Sequence, residues 1–301
     1  MRMVVIGSSG QLGVDLMKEL PAGGHEAIGF SGRAELDVCD TAAVAAMLER
    51  TSPGAIINTA AFHNVDLCEK EADAAYRTNV IAVREIARLC EAAGVWFVQI
   101  GTDYVVEGAP ENRPVPESVA VHPNSIYSLT RFGGDCMTLA HAPTRGFAVR
   151  SCGLFGSAGC KLKGGLNFVD LMIKMGREGK KLRVVDDQTV APTPTDDLAR
   201  QLRIMAEQAA AGALAPGLYH AVSHGEVTWF AFARRALELA GLTKAAGEIE
   251  PVPSTVYAAP AKRPKYSVLD NAKLRAAGLD VMGTWEEGLK RYVAKKYGAG
   301  N

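Results

Sequence analysis

The 301-residue chain predicts an α/β fold, a doubly wound parallel sheet covered by helices on both faces and joined to a smaller, discontinuous C-terminal region. Three observations carry this. Short β-rich runs alternate with helical patterns, a glycine triplet directly follows the first run, and the texture changes after Gly156.

The β-rich runs, each bounded by turn residues, are Met3–Ile6, Glu26–Phe30, Ala55–Asn58, Val95–Ile100, Phe147–Arg150, Leu182–Val185 and Leu218–Val222. Apolar residues three and four apart mark helices over Gln11–Leu20, Thr41–Arg50, Thr78–Ala93, Ile126–Ala140 and Thr195–Ala210, with Gly94 where a helix end expects glycine. The stretch 206–217 reads as a helix end entering a surface loop. Glycines and lysines over Gly156–Gly165, and prolines among basic residues over Pro251–Pro264, read as loops crossing the open sheet edge. Trp229, Phe232 and Trp285 read as core anchors of amphipathic helices.

Composition narrows the function class. With 48% hydrophobic and 22% charged residues the chain can bury a substantial core, which excludes disorder. Thirty-three Lys plus Arg balance thirty-three Asp plus Glu, so no long-range field favours nucleic acid or an anionic membrane, and an anionic ligand must meet local donors. The first apolar run is too short for a signal segment, and no stretch approaches the roughly 20 apolar residues of a membrane span, so a soluble, cytoplasmic protein is expected. Cys39, Cys68, Cys90, Cys136, Cys152 and Cys160 form no CxxC pair and are expected to be reduced, with Cys160 the exposed thiol.

Gly7, Gly10 and Gly13, with Gln11 and Leu12 between them, run from the first strand into the first helix. There bare backbone lets a diphosphate approach unpaired helix N–H groups. The sheet is therefore expected to be Rossmann-like and to bind a dinucleotide. After the second strand, Ser31-Gly32-Arg33 offers small polar and basic groups. Arg33 suits a 2′-phosphate, which favours NADPH and leaves NADH possible. Asp37 and Val38 are expected beside the adenine, and Asn58, Ala60 and Ala61 beside the pyrophosphate. Residues 1–156 are read as the dinucleotide-binding domain, with 182–222 returning to it, and 157–181 plus 223–301 as the substrate region.

Tyr127 and Arg131, four apart on one helix face, join Thr102, which follows the Val95–Ile100 run, as a possible proton-donor constellation at the carboxyl edge of the sheet.

The chain resembles the extended short-chain dehydrogenase/reductases and, within them, the dTDP-4-dehydrorhamnose reductases. The resemblance rests on GSSGQLG, LDV, NTAAFHNVD, GTDYVVEG, PNSIYSLTR, GGLNF, VVDDQTVAPT, LYH and PAKRPKYSVLDN, spread over nearly the whole chain. It implies reduction of the C4 ketone of a dTDP-4-keto-6-deoxy-sugar, in dTDP-L-rhamnose formation, by a nicotinamide hydride. Tyr127 would be the proton donor, Thr102 would bond the carbonyl oxygen, and Arg131 would stand where the family has lysine. It further implies hexose contacts from His63, Asn64, Val65, Tyr104 and Gly153, and nucleotide contacts from Asn167, Arg263, Lys265 and Ser267. Asn79 matches a structural asparagine, expected to cap a helix or anchor a loop as readily as to act in catalysis.

Gly101, Val106 and Gly153 depart from the usual serine, phenylalanine and tryptophan. Some members bind magnesium at a dimer interface near positions corresponding to Asp15 and Asp196, but no local oxygen cage is evident and no metal is assigned. A homodimer is possible. Two other functions of the same fold stay open, a non-catalytic NADP-binding regulatory subunit and a reductase of another nucleotide sugar.

Overall fold

The computed structural model describes residues 1–106, 113–159, 165–257 and 259–298. Cys160 lies outside them, and the other five cysteines are free thiols. In chain order the elements are β1 Arg2–Ile6, α1 Gln11–Ala22, β2 Glu26–Phe30, α2 Thr41–Thr51, β3 Ala55–Asn58, α3 Val65–Lys70, α4 Ala72–Tyr76, a π-helical turn Arg77–Ile81, α5 Ala82–Ala93 and β4 Trp96–Thr102. There follow α6 Ile126–His141, β5 Gly146–Ser151, α7 Phe168–Arg177, β6 Arg183–Val185, β7 Thr189–Val190, α8 Thr195–Ala210 and β8 Gly217–His220. The chain ends with β9 Val227–Thr228, α9 Trp229–Leu239, α10 Thr243–Glu248, β10 Glu250–Val252, α11 Ala272–Ala276 and α12 Trp285–Tyr297. Among the described residues no helix is long and apolar enough to cross a membrane.

Six strands form one parallel sheet in the order β2-β1-β3-β4-β5-β8. Side chains alternate between its faces. Met3 and Val5 of β1 pack with Leu12, Leu16 and Leu20 of α1 and Leu198, Leu202 and Met205 of α8. Val4 and Ile6 pack on the other side with Val44 and Met47 of α2 and Val83, Ile86 and Cys90 of α5. Both faces of β1 are therefore apolar, as a strand covered on both sides requires. The order reverses between β1 and β3, and there their carboxyl ends open the crevice in which such sheets bind ligands.

The run Leu182–Val185, expected to return to the main sheet, instead pairs with β10 in a sheet of its own. Leu182 and Val184 are buried against Met172 of α7 and Ala233 and Leu237 of α9, so local packing outside the main sheet claims this strand. The helix expected from Thr78 begins as the π-helical turn, where Asn79 turns inward: its Oδ1 accepts from Phe62 N at 2.9 Å and its Nδ2 donates to Phe62 O at 3.0 Å. Asn79 thus anchors the loop after β3. Gly94 ends α5 at φ +71°, the left-handed conformation expected of a glycine cap. Phe232 is buried among Phe155, Val169 and Leu289, with Trp229 and Trp285 packed against the same cluster.

Gly101 has a structural reason. Arg150 on β5 and Asp135 on α6 form a buried ion pair at 2.8 Å. A Cβ on Gly101 would meet Asp135 Oδ1 at 2.8 Å and Arg150 Cγ at 2.9 Å, so only glycine leaves room for the pair.

Candidate active site

The glycine loop is shaped by close backbone approach. Gly7 sits at φ +85°, and a Cβ there would meet Thr59 Oγ1 at 2.5 Å. A Cβ on Gly13 would press into the Gly7 carbonyl oxygen and lie 2.7 Å from Ser8 Cα, so the helix can approach its own loop only through glycine. Gly10 caps α1 with no side-chain hydrogen bond, so the first-turn N–H groups keep their need for an anionic partner. A dinucleotide diphosphate fits this cradle. Leu12 contributes backbone only, since its side chain is in the core. Gln11 Nε2 donates to Leu154 O at 2.6 Å, while its buried Oε1 has no hydrogen-bond partner.

The rest of the expected dinucleotide surface lies along the carboxyl ends of β2 and β3. Ser31 Oγ bonds Ser9 Oγ, Arg33 is exposed, and Asp37 accepts from Cys39 N at 2.9 Å. Val38 packs against the α2–α5 face of the core. Asn58 donates to Gln99 Oε1 at 2.7 Å and accepts from Ala60 N at 3.1 Å, so it holds the Ala60–Ala61 turn to β4.

Beyond the switch point, β4 delivers Thr102 to the sheet edge and α6 delivers Tyr127 and Arg131. The start of α6 is fixed by a capping box between Ser125 and Ser128. The Thr102 hydroxyl faces the Tyr127 phenol. Burial pushes that phenol above its ordinary pKa, while the Arg131 guanidinium and Thr102 hydroxyl pull it back. Arg131 is itself buried. Its Nη2 donates to the Ile100 carbonyl, its Nε has no partner, and its charge also acts on Asp135 one helical turn along. Tyr104 meets Tyr127 edge-on with centroids 5.4 Å apart.

Two carboxylates around this set, Asp103 and Asp66, escaped the sequence reading of the site. Asp103, fully buried, accepts from Thr102 Oγ1 at 3.2 Å, Ser267 Oγ at 2.7 Å and Cys152 Sγ at 3.2 Å. Burial raises its carboxyl pKa, and these donors oppose the rise. Ser267, expected at the nucleotide, is thus spent on the floor of the site, leaving its backbone N–H on Thr189 O. The available signal was a carboxylate inside an otherwise apolar run after a strand. Asp66, on α3, holds Arg263 Nη2 at 2.9 Å, and the Arg263 charge reaches Tyr104.

The remaining expected contacts divide. His63 is exposed, with Nδ1 at 3.2 Å from Ala61 O, and Asn64 caps α3 directly ahead of Val65. Asn167 is committed elsewhere: its Oδ1 caps α7 through Asp170 N, and its Nδ2 donates to Gly156 O at 3.1 Å and Tyr292 Oη at 2.7 Å. Gly153 sits at φ +52°, and a Cβ there would lie 3.4 Å from Trp229 Cη2, so the indole of α9 fills the space beside it. Asp15 accepts from Thr195 Oγ1 at 2.6 Å and Ser157 Oγ at 2.8 Å. Among the described residues no group of three or more His, Cys, Asp or Glu could hold a metal ion.

A glycine cradle at the switch point, with a tyrosine, a threonine and a buried cation farther along the carboxyl edge, sits on the Rossmann-like sheet of a dinucleotide-dependent oxidoreductase. The chain belongs to the RmlD substrate binding domain family, whose model matches residues 1–297. It is 37% identical over 288 residues to the dTDP-4-dehydrorhamnose reductase of Streptomyces griseus, covering 96% of this chain and 91% of that one. It is 34% identical to the dTDP-4-keto-6-deoxy-D-glucose reductase of Streptomyces niveus, covering 96% and 95%. The crystal structure of dTDP-4-dehydrorhamnose reductase from Bacillus anthracis, in complex with NADP, superposes with a TM-score of 0.88 at 31% identity, covering 98% of each chain.

Proposed function

We propose that this protein is an NAD(P)H-dependent reductase of the C4 ketone of a dTDP-4-keto-6-deoxy-sugar, of the kind that yields dTDP-L-rhamnose. The observation that carries this reading is the Thr102 hydroxyl facing the Tyr127 phenol, with the Arg131 cation behind it and the glycine cradle across the switch point. A dinucleotide held in that cradle by its diphosphate would supply the hydride from its reduced nicotinamide. Tyr127 then gives its phenolic proton to the new alkoxide on C4. An unperturbed phenol has a pKa of about 10, so the Arg131 charge, which favours the phenolate left behind, makes the transfer easier. Thr102 gives its hydroxyl proton to Asp103 when no substrate is bound and turns it to the reacting oxygen when one is, which holds that oxygen in line with Tyr127. NADPH is the preferred coenzyme through Arg33, and the substrate region comprises residues 157–181 and 223–301.

The test is loss of NADPH absorbance in a single turnover with a dTDP-4-keto-6-deoxyhexose. Absence of turnover with every nucleotide ketosugar tried would overturn the reading. Because Arg131 supplies charge in place of the family's lysine, Arg131→Lys should leave turnover within about tenfold, and Arg131→Met should lower it by about a hundredfold. A large gain with lysine would mean that arginine disables the site, as in a regulatory subunit.

Arg263, already charge-paired with Asp66, is placed to exchange that carboxylate for a substrate diphosphate oxygen. Arg263→Ala should raise KM for the nucleotide sugar by about tenfold or more with kcat nearly unchanged, read from initial rates at saturating coenzyme.

A further inference from the structure

The coenzyme pocket contains a carboxylate that the order of residues hides. Phe30 O accepts from Gly7 N at 2.8 Å and Ser8 N at 3.0 Å, so the end of β2 is bonded to the glycine cradle. Ser31 comes next. Gly32, at φ +74°, then reverses the chain, and Glu35 N and Leu36 N both donate back to Gly32 O. The buried Leu36 side chain anchors this turn in the core beside Val44 and Met47. The turn swings Glu35 onto Ser31, where its Oε2 accepts from Ser31 N at 2.6 Å.

The polar groups at the end of β2, where the adenosine ribose of a dinucleotide is read, are therefore Ser31, bonded to Ser9 and Glu35, and the exposed Arg33 two residues on, which bring one cation and one anion. Their chemistry pulls in opposite directions. A 2′-phosphate seeks cations and N–H donors, yet the Ser31 N–H is already given to a carboxylate, and a dianion beside that carboxylate is repelled. A ribose 2′-hydroxyl has a proton to donate and finds an acceptor in the same carboxylate.

We propose that Glu35 is a specificity-determining residue of this pocket: it accepts the 2′-hydroxyl of NADH and opposes the 2′-phosphate of NADPH, against the pull of Arg33. The proposal rests on the dinucleotide reading of the site and adds that the chain carries determinants for both coenzymes. Glu35 removes part of the advantage that Arg33 gives to NADPH.

The experiment titrates the coenzyme-free full chain with NADPH and with NADH, following nicotinamide fluorescence without sugar substrate. Glu35→Gln keeps the side-chain length and an oxygen for Ser31 N while removing the charge. It should shift the Kd ratio by roughly tenfold toward NADPH, with NADPH tightening and NADH weakening. Arg33→Ala should move the ratio the other way. The NADPH part of the Glu35→Gln effect should shrink at high ionic strength, because it is a repulsion between exposed charges. If wild type and Glu35→Gln bind both coenzymes with the same ratio, the assignment of Glu35 fails while the dinucleotide site stands. If the wild type binds neither coenzyme, both fail.

Discussion

Tyr127→Phe is expected to lower turnover by about a hundredfold to ten-thousandfold, the range over which a positioned general acid contributes, while leaving NADPH affinity within about twofold. The phenylalanine ring keeps the edge-on contact with Tyr104, so the loss is of one proton and not of packing. Reduction needs the protonated phenol. The wild-type rate is therefore present below the Tyr127 pKa and falls as pH rises through it. Burial moves that limb upward, and the Arg131 charge and Thr102 hydroxyl hold it back. The limb should move further up in Arg131→Met and vanish in Tyr127→Phe. A kcat profile for Tyr127→Phe that keeps both the wild-type rate and the wild-type alkaline limb would remove Tyr127 from the mechanism.

The second large effect is expected at Gly13, through the fold of the cradle. A methyl group there meets backbone, the Gly7 carbonyl and the Ser8 main chain, and backbone cannot swing aside as a side chain can. Gly13→Ala should destabilise the chain by about 1–3 kcal/mol, the usual cost of overpacking. The loop must also lift from the helix, so the first-turn N–H groups no longer converge on a diphosphate, and coenzyme affinity should fall by about a hundredfold. Gly10→Ala is the comparison. Its Cβ would meet only the Gly7 carbonyl, at 3.1 Å, and a smaller loss is expected. Equal coenzyme affinity in Gly13→Ala and wild type, measured by calorimetry, would show that the tight approach does not shape the site.

Much of the site was legible because its signals are local. The glycine spacing fixes how close a helix can come to its own loop. Tyr127 and Arg131 share a face because the helix repeats every 3.6 residues or so. The place of Thr102 after a strand set it beside them at the carboxyl edge, and resemblance added Tyr104. The partners of these residues were not legible. Ser267 reaches Asp103 across 164 positions, and Arg263 reaches Asp66 across 197. Asn167, read as a diphosphate contact, is instead occupied by the start of α7 and by Tyr292. Glu35 was passed over because it lies four residues beyond the expected ribose position, and only the turn at Gly32 brings it back.

The amino-acid order by itself determined the alternation of strands and helices, the glycine cradle at the first crossing, and the shared face of Tyr127 and Arg131, because each follows from backbone sterics and short-range periodicity. Tertiary structure alone decided that β6 leaves the main sheet for β10, that Gly101 makes room for the Arg150–Asp135 pair, and that Asp103 lies beneath Thr102. Those outcomes depend on which distant segments share one desolvated space. There a buried charge must find its partner and a buried donor its acceptor, whatever their separation along the chain.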